Sequence, residues 1–188
     1  MSTRAETAAA TRRALLDAAG ALLDAGGPEA VTLREVGARA GVSRSAPYRH
    51  VADKESLLTA LATAAWSELG DTLETIGHGD TAAHDQLRLA LLALITVGRD
   101  RPYLYRLMFT TPTGDPAAAV RAAARSQDLF LHIVARVVGD QRAWQHAGLL
   151  LASAHGITDL ELSGHLHQDM WPTAEVMIDL LIGLLPAA

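Results

Sequence analysis

Cysteine is absent from this sequence of 188 residues. Its absence excludes disulfides, thiolate nucleophiles and cysteine-ligated zinc sites. Long hydrophobic runs are also missing, because the most apolar stretches, 87–97 and 177–185, are shorter than the roughly 20 residues that cross a bilayer. No stretch has the pattern of a signal peptide. These absences predict a cytoplasmic protein that does not insert into a membrane.

Strand patterns are lacking as well, since no segment alternates regularly between apolar and polar residues. Alanine and leucine dominate instead, and apolar residues recur every three to four positions. The apolar fraction of 49% is large enough to form a folded core. We therefore predict an all-α protein of about nine helices.

Glycine and proline mark the ends of the first predicted helices. The first helix is expected over about 5–25, with Gly26-Gly27-Pro28 as its stop. The second begins at Thr32, which can form a capping box with Glu35. It ends at Gly41, which can take the left-handed conformation at little cost. Ser43 is then expected to cap a third helix.

The rest of the chain has helical periodicity up to its last residues. Pro172 is expected in the first turn of the last helix, because proline is tolerated there. The loop at 111–116 and the Gly139-Asp140 pair separate longer segments. The remaining predicted helices span about 53–76, 85–98, 102–109, 116–138, 142–162 and 172–185.

Charge is distributed unevenly along the chain. The formal net charge is −5, which disfavours nucleic-acid binding by the chain as a whole. Between Arg34 and Lys54, however, there are five cations and two acids, whereas from Asp71 onward there are eight arginines and thirteen acids. A small basic end on an acidic body is typical of a protein that touches phosphate with one end only.

The predicted third helix combines cations with hydroxyl and aromatic groups. Pro47 and Val51 are four residues apart and share a face, which can pack against the preceding helices. Arginine can donate two hydrogen bonds to guanine, and serine or tyrosine can donate to phosphate. Lys54 can bind a phosphate at the next helix N-terminus. The face opposite Pro47 carries Arg44, Ser45, Tyr48 and Arg49.

Residues 9–58 resemble the DNA-binding domain of the tetracycline-repressor (TetR) family of bacterial regulators. The resemblance is carried by VTLREV at 31–36, AGVS at 40–43, YRHV at 48–51 and KESLL at 54–58. It implies a helix-turn-helix with its third helix in the major groove of double-stranded operator DNA. It also implies base contacts from Arg44, Ser45 and Arg49, and phosphate contacts from Arg34, Tyr48, His50 and Lys54.

Three further positions bear on the predicted DNA contacts. Thr32 is one of the predicted DNA-contacting residues. Ala46 is another, although its small apolar group could touch either a thymine methyl group or nothing. Val51 stands where the family usually has phenylalanine, so we expect looser packing beneath the third helix. The change in charge near residue 52 divides the chain into a helix-turn-helix domain over 1–52 and a second domain over 53–188, and the resemblance implies that the second domain serves ligand binding and dimerisation.

The regulatory part resembles the family in layout. His155-Gly156 resembles a subgroup with a Trp-His-Gly motif, although Leu151 stands at the tryptophan position. An apolar effector pocket could form in this part, but core packing is the alternative for each candidate residue. The candidates are Tyr103, Leu107, Phe130, Trp144, Leu151 and His155.

The sequence therefore predicts a homodimeric transcriptional repressor, released from its operator by a small and largely apolar ligand. Dimerisation is expected because paired DNA half-sites are read by two-fold symmetric protein dimers. Residues 147–162 and 177–185 are also apolar enough to form a four-helix interface between two copies of the chain. No cofactor and no catalytic activity are predicted. A protein-binding helical adaptor is one alternative.

A small metal-dependent helical enzyme is the other alternative. It would use His155, or a cluster of His165, His167 and Asp169. Histidines two residues apart diverge on a helix and converge only in a loop, so we favour a solvated turn without a metal.

Overall fold

The computed structural model describes residues 4–111, 115–166 and 170–186. Within these ranges it contains eight α-helices, one 3-10 helix at Pro47–Arg49 and no strand, which confirms the all-α prediction. None of the described helices is long and apolar enough to span a membrane. The α-helices are α1 (Arg4–Ala30), α2 (Leu33–Arg39), α3 (Lys54–Gly77), α4 (Ala83–Asp100), α5 (Pro102–Met108), α6 (Pro116–Val138), α7 (Asp140–Leu162) and α8 (Ala174–Gly183).

The described residues fall into two compact units. The first unit comprises the described residues within 1–65 and 103–120. The second comprises the described residues within 66–102 and 121–186. In the first unit α1 packs on α2, and α2 packs on the 3-10 helix. Leu15, Leu23 and Val36 are buried in the core of this unit.

A pair of glycines interrupts α1 where the sequence predicts its end. Gly27 has φ +70°, a left-handed value that disfavours other residues, and one short turn follows it to Ala30. A Cβ atom at Gly27 would lie 2.9 Å from Cε1 of Tyr103. Glycine is therefore needed here both for the backbone conformation and for the close approach of the tyrosine ring.

The predicted caps of α2 are present. The Thr32 hydroxyl accepts from the Glu35 amide at 3.2 Å and donates to the Glu35 carboxylate at 2.7 Å. At the other end Gly41 has φ +68°, and the amide of Val42 donates to the Gly37 carbonyl at 3.1 Å. This bond is typical of a helix that ends on a left-handed glycine.

The third helix is shorter and tighter than the sequence predicts. It is the 3-10 helix Pro47–Arg49, whose N-cap is Ala46, and it has no side-chain cap from Ser43. Because proline has no N–H, Pro47 cannot donate to the Ser43 carbonyl four residues earlier. The Ala46 amide donates to that carbonyl instead, at 2.9 Å, and this spacing of three residues favours the 3-10 form.

The later helices follow their predicted positions with one correction. Helix α6 spans Pro116–Val138 as predicted. Helix α8 begins at Ala174 because the Thr173 hydroxyl accepts from the Val176 amide at 3.4 Å. Pro172 therefore precedes the cap and does not lie in the first turn.

In the second unit, α4 packs on α7 and α8. Leu87, Ile95, Leu150 and Ile178 are fully buried there. Arg99 of α4 joins the three helices, because its guanidinium donates to Glu161 on α7 at 2.7 Å and to Glu175 on α8 at 2.6 Å. The hydrogen bond from Arg99 lowers the pKa of Glu175 from its usual 4.5 to about 2.

Replacing Glu175 by glutamine should make stability less dependent on pH. A carboxyl whose pKa is lowered by folding stabilises the protein above its unfolded pKa, and this contribution is lost as pH falls from 4.5 towards about 2. We expect Glu175→Gln to lower the urea midpoint at pH 7, and the difference from the parent to shrink over that acid range. Glu68→Gln, at an exposed position of α3, is the control. A difference that stays constant with pH would contradict this assignment.

Candidate nucleic-acid interface

Residues 43–51, here called the basic turn, are held against α2 by a close contact. Pro47 is buried, and a Cβ atom at Gly37 would lie 2.9 Å from Cγ of Pro47. The proline ring thus occupies the space that a side chain at Gly37 would fill. This contact fixes which side of the turn faces the protein.

The opposite side of the basic turn projects outward. Arg44, Ser45, Tyr48 and Arg49 are all exposed, and Tyr48 is 63% exposed. The basic turn therefore has a buried side, which contains Pro47, and an exposed side with cationic and hydrogen-bonding groups, as the sequence predicts. Guanidinium, hydroxyl and phenol groups on one exposed surface can donate to phosphates and base edges.

Ala46 does not belong to this exposed surface. It is only 4% exposed, so its methyl group is not on the surface that carries Arg44, Tyr48 and Arg49.

Thr32 and Arg34 lie at the start of α2 and share a carboxylate. Arg34 donates to both oxygens of Glu35, at 3.1 and 3.3 Å, and Glu35 also binds the Thr32 hydroxyl. The hydrogen bonds from Arg34 and Thr32 lower the pKa of Glu35. An incoming phosphate would therefore compete with Glu35 for the guanidinium of Arg34, which is exposed and can rotate towards it.

Lys54, the only lysine in the sequence, is half-buried at the start of α3. Its Nζ atom lies 3.9 Å from the carboxylate of Glu29, which is almost fully exposed. Asp53 caps the helix by accepting a hydrogen bond from the Ser56 amide at 2.7 Å. This amide of the first turn is therefore not available to bind a phosphate. His50 is half-buried beside the basic turn.

A crevice lies beneath the basic turn, at the position where the sequence predicts looser packing. It has a volume of about 320 Å³, and Leu16, Val51 and Ala60 contribute apolar lining. Arg12, His50 and Asp115 contribute polar groups to it. Val51, which lines the crevice, is half-buried.

The second unit contains a smaller apolar cavity of about 40 Å³. This volume accommodates roughly three water-sized groups. The cavity is bounded by α3, α4, α6 and α7. Its lining residues are Trp66, Leu69, Leu73, Ala90, Leu91, Leu94, Ser126, Gln127, Phe130 and Leu151.

Two matches to a known family together cover most of the chain. Residues 15–61 match the profile of bacterial regulatory proteins of the tetR family. Residues 87–184 match the tetracyclin repressor-like C-terminal domain. The chain belongs to the TetR family. Neither match shows that the chain belongs to the subgroup with a Trp-His-Gly motif.

Solved structures share the fold of this TetR-family chain. A protein of unknown function from Rhodococcus sp. RHA1 is 29% identical, with a TM-score of 0.79, over 93% of this chain and 95% of that one. PfmR, a TetR family regulator from Thermus thermophilus, is 18% identical, with a TM-score of 0.65, over 92% and 98%. AibR, solved with isovaleryl coenzyme A and operator DNA, is 18% identical, with a TM-score of 0.62, over 93% and 97%. No curated protein matches the chain.

The structure brings together only part of the predicted effector pocket of this TetR-family chain. Phe130 and Leu151 line the apolar cavity. Trp144 does not, because it is 75% exposed on α7. Tyr103 and Leu107 belong to the first unit, where the Tyr103 ring packs against Gly27. His155 is half-buried and does not contribute to the cavity lining.

Most of the cavity lining was missed from the sequence. Trp66, Leu69 and Leu73 follow one another at helical spacing on α3, and Ala90, Leu91 and Leu94 do so on α4. Such spacing indicates a buried helix face. It cannot distinguish residues that border a cavity from residues that fill the core.

The predicted alternative of a histidine metal site falls partly outside the described residues, since these omit His167 and Asp169. His165 lies 2.8 Å from the Ser163 hydroxyl through Nδ1. Among the residues that the structure describes, no group of three His, Asp or Glu side chains could hold a metal ion.

Substituting Gly37 by alanine should displace the basic turn of this TetR-family chain. The added methyl group would lie 2.9 Å from the rigid proline ring, so the turn must move. We expect a loss of about 1–3 kcal/mol in stability, as for other overpacked sites. Thermal unfolding measures this loss, and the exposed neighbour Ala38→Ser serves as the control. Equal stability of the Gly37→Ala protein and the parent would contradict the proposed role of the contact.

Proposed function

We propose that this TetR-family regulator is a homodimeric repressor that binds operator DNA through its basic turn and releases it when a small, largely apolar ligand enters the cavity. The observation that carries the proposal is the exposed cationic side of the basic turn. Arg44, Tyr48 and Arg49 project from a turn whose other side is fixed by Pro47 against Gly37. AibR, which has the same fold, was solved with operator DNA and an acyl coenzyme A.

The proposed DNA contacts divide into two classes. Arg44, Ser45 and Arg49 read base edges, because arginine and serine can donate to groups in the major groove. Thr32, Arg34, Tyr48, His50 and Lys54 contact phosphates and position the turn. The ion pair of Arg34 with Glu35 is exposed, and that of Lys54 with the exposed Glu29 is long, at 3.9 Å, so phosphate can replace either carboxylate at little cost.

Dimerisation is supported by an apolar ridge on α7 and α8. Along α8 and at its C-terminal end, Val176, Leu180 and Leu184 are exposed at intervals of four residues, and Leu180 and Leu184 are 61% and 82% exposed. On α7, Leu149 and Leu160 are exposed too. An exposed patch of this kind is typical of a protein–protein interface. A second copy of the chain would cover it with the same two helices.

Small residues on α7 make a close helix crossing possible. Gly148, Ala152 and Gly156 are four residues apart, and a Cβ atom at either glycine would have no neighbour within 4 Å. A helix of the second subunit can therefore approach the backbone of α7 closely, with the leucines at either side. The resulting two-fold pair would present two basic turns to DNA half-sites about 34–36 Å apart.

Ligand control requires a difference in affinity between two conformations. The cavity is bounded by the second half of α3, whose first residue is Lys54. A ligand that prefers a wider cavity would favour a shifted α3 and lower the affinity for the operator. Residues 66, 69 and 73 of that helix would contact the ligand directly.

Substitutions in the two contact classes should have different effects on DNA binding. We expect Tyr48→Phe and Lys54→Ala to weaken binding to all sequences, and Lys54→Ala to reduce the slope of log affinity against log salt by about 1. Arg44→Ala should cost about 1–3 kcal/mol at its preferred base pair and relax the base preference there. Operators selected from genomic fragments, followed by binding at several salt concentrations, provide the measurement.

Two further variants sharpen this experiment. Lys54→Arg keeps the charge and should keep the salt slope, whereas the exposed Ala38→Ser should change nothing. If Tyr48→Phe, Lys54→Ala and Arg44→Ala all bind the operator as the parent does at raised salt, the assignment of the basic turn is wrong.

A charge on the apolar ridge should separate the subunits. Leu180→Glu would place two carboxylates in the proposed interface and remove two buried leucines, which weakens dimerisation by roughly a thousandfold. Sedimentation velocity should therefore detect a monomer. Val120→Glu, at another exposed apolar position, should leave the dimer intact. A parent protein that sediments as a monomer, or a Leu180→Glu protein that remains dimeric, would refute the proposed interface.

A further inference from the structure

The crevice beneath the basic turn differs from the cavity in the second unit, because charged side chains of both signs line it. Arg12 on α1 and Asp115, just before α6, belong to its lining and are exposed. Leu16, Val51 and Ala60 give the same crevice apolar walls, and these three residues are half-buried. All of the lining residues lie within the first unit. The crevice is therefore an apolar recess with one cation and one anion at its surface.

Neither charge is paired within the part of the chain that the structure describes. There the Arg12 guanidinium forms no ion pair and no hydrogen bond, although it lines the same space as Asp115. The Asp115 carboxylate accepts one hydrogen bond, from the Ala118 amide to Oδ1 at 3.2 Å, and has no cationic partner among those residues. A ligand that carries one group of each sign can therefore bind both side chains.

We propose that this crevice binds an α-amino acid with an aromatic side chain. The ligand carboxylate accepts hydrogen bonds from Arg12, and the ligand ammonium group donates to Asp115. The ring packs on the apolar walls. An apolar cavity of about 150 Å³ holds a benzene ring, so the crevice, of about 320 Å³, has room for a phenyl ring and a head group. The site goes beyond the proposed function, whose ligand enters the cavity of the second unit.

The head group of an amino acid fits the polar part of the lining. Its two charged groups share one carbon atom, so their partners must converge on one place. Arginine has a long and flexible side chain, and Arg12 and Asp115 are both exposed, so their side chains can turn towards the same head group. His50 also lines the crevice, and its imidazole can donate a further hydrogen bond to the carboxylate.

The lining favours a zwitterion over a ligand with a single charge. An acid without an ammonium group would bring its carboxylate close to Asp115, and like charges repel each other at such distances. An amine without a carboxylate would be repelled by Arg12 in the same way. Because both side chains are exposed, water screens these effects. We therefore expect each charged group of the ligand to contribute a factor of about five in affinity.

Titration of the isotope-labelled full chain with L-phenylalanine, followed by amide NMR signals, tests the proposal. The matched ligands are 3-phenylpropanoate, which lacks the ammonium group, and 2-phenylethylamine, which lacks the carboxylate. We expect phenylalanine to shift the signals of Ala60 and Ala118, which line the crevice, and to bind about fivefold more tightly than either analogue. The signals of Leu91 and Leu94, which line the cavity of the second unit, should not respond.

Two substitutions should each remove one of these preferences. Arg12→Gln removes the partner of the carboxylate, so phenylalanine should then bind no more tightly than 2-phenylethylamine. Asp115→Asn removes the partner of the ammonium group but keeps an oxygen for the Ala118 amide. With this variant, phenylalanine should bind no more tightly than 3-phenylpropanoate. A crevice that merely accepts aromatic rings would show neither loss.

Arg13→Gln and Asp17→Asn are the matched controls, because both residues are exposed on α1 and do not line the crevice. Both should retain the preferences of the parent, and thermal unfolding checks that each variant is folded. The proposal is overturned if phenylalanine binds the parent no more tightly than the analogues, a comparison that needs no variant. It is also overturned if only signals of the second unit shift, or if Arg12→Gln and Asp115→Asn change all three affinities alike. Operator DNA is absent from the titration, so its result is independent of the proposed DNA contacts.

Discussion

The packing of Pro47 on Gly37 is the constraint on which the presentation of the basic turn depends. Because α2 has no side chain at Gly37, the proline ring approaches its backbone closely and fixes one side of the turn. The other side is left to Arg44, Tyr48 and Arg49, which have no place in the core. The same proline lacks an amide hydrogen, so it also sets the 3-10 geometry of the turn.

A second glycine has a comparable role where α3 meets α6. Gly70 lets the Ser126 hydroxyl and the Arg125 guanidinium lie against the α3 backbone, over an apolar cavity. Polar groups of α6 thereby hold a helix whose inward face is apolar. The proposed ligand control needs a contact between α3 and α6 that is stable without ligand and yet easy to rearrange. Exposed ion pairs above apolar packing meet both requirements, because each pair contributes little free energy.

Much of the fold could be predicted because its signals are local. Apolar spacing indicated the span of α6, and Thr32 and Gly41 marked the ends of α2 through bonds within a few residues. The exposed side of the basic turn was predicted as well, since Pro47 indicated which side is buried. The α-helical form of that turn was predicted wrongly, because it depends on the hydrogen bond that Pro47 cannot make.

The sequence by itself determined the helices, the family and the basic character of one segment, because periodicity, caps and charge are properties of neighbouring residues. Only the tertiary structure decided which apolar faces enclose a cavity and which exposed cations have acidic partners. Trp66, Leu91 and Phe130 come from three helices far apart in sequence, and Arg125 meets Asp71 across more than fifty residues. Such meetings depend on how whole helices pack, which no single segment encodes.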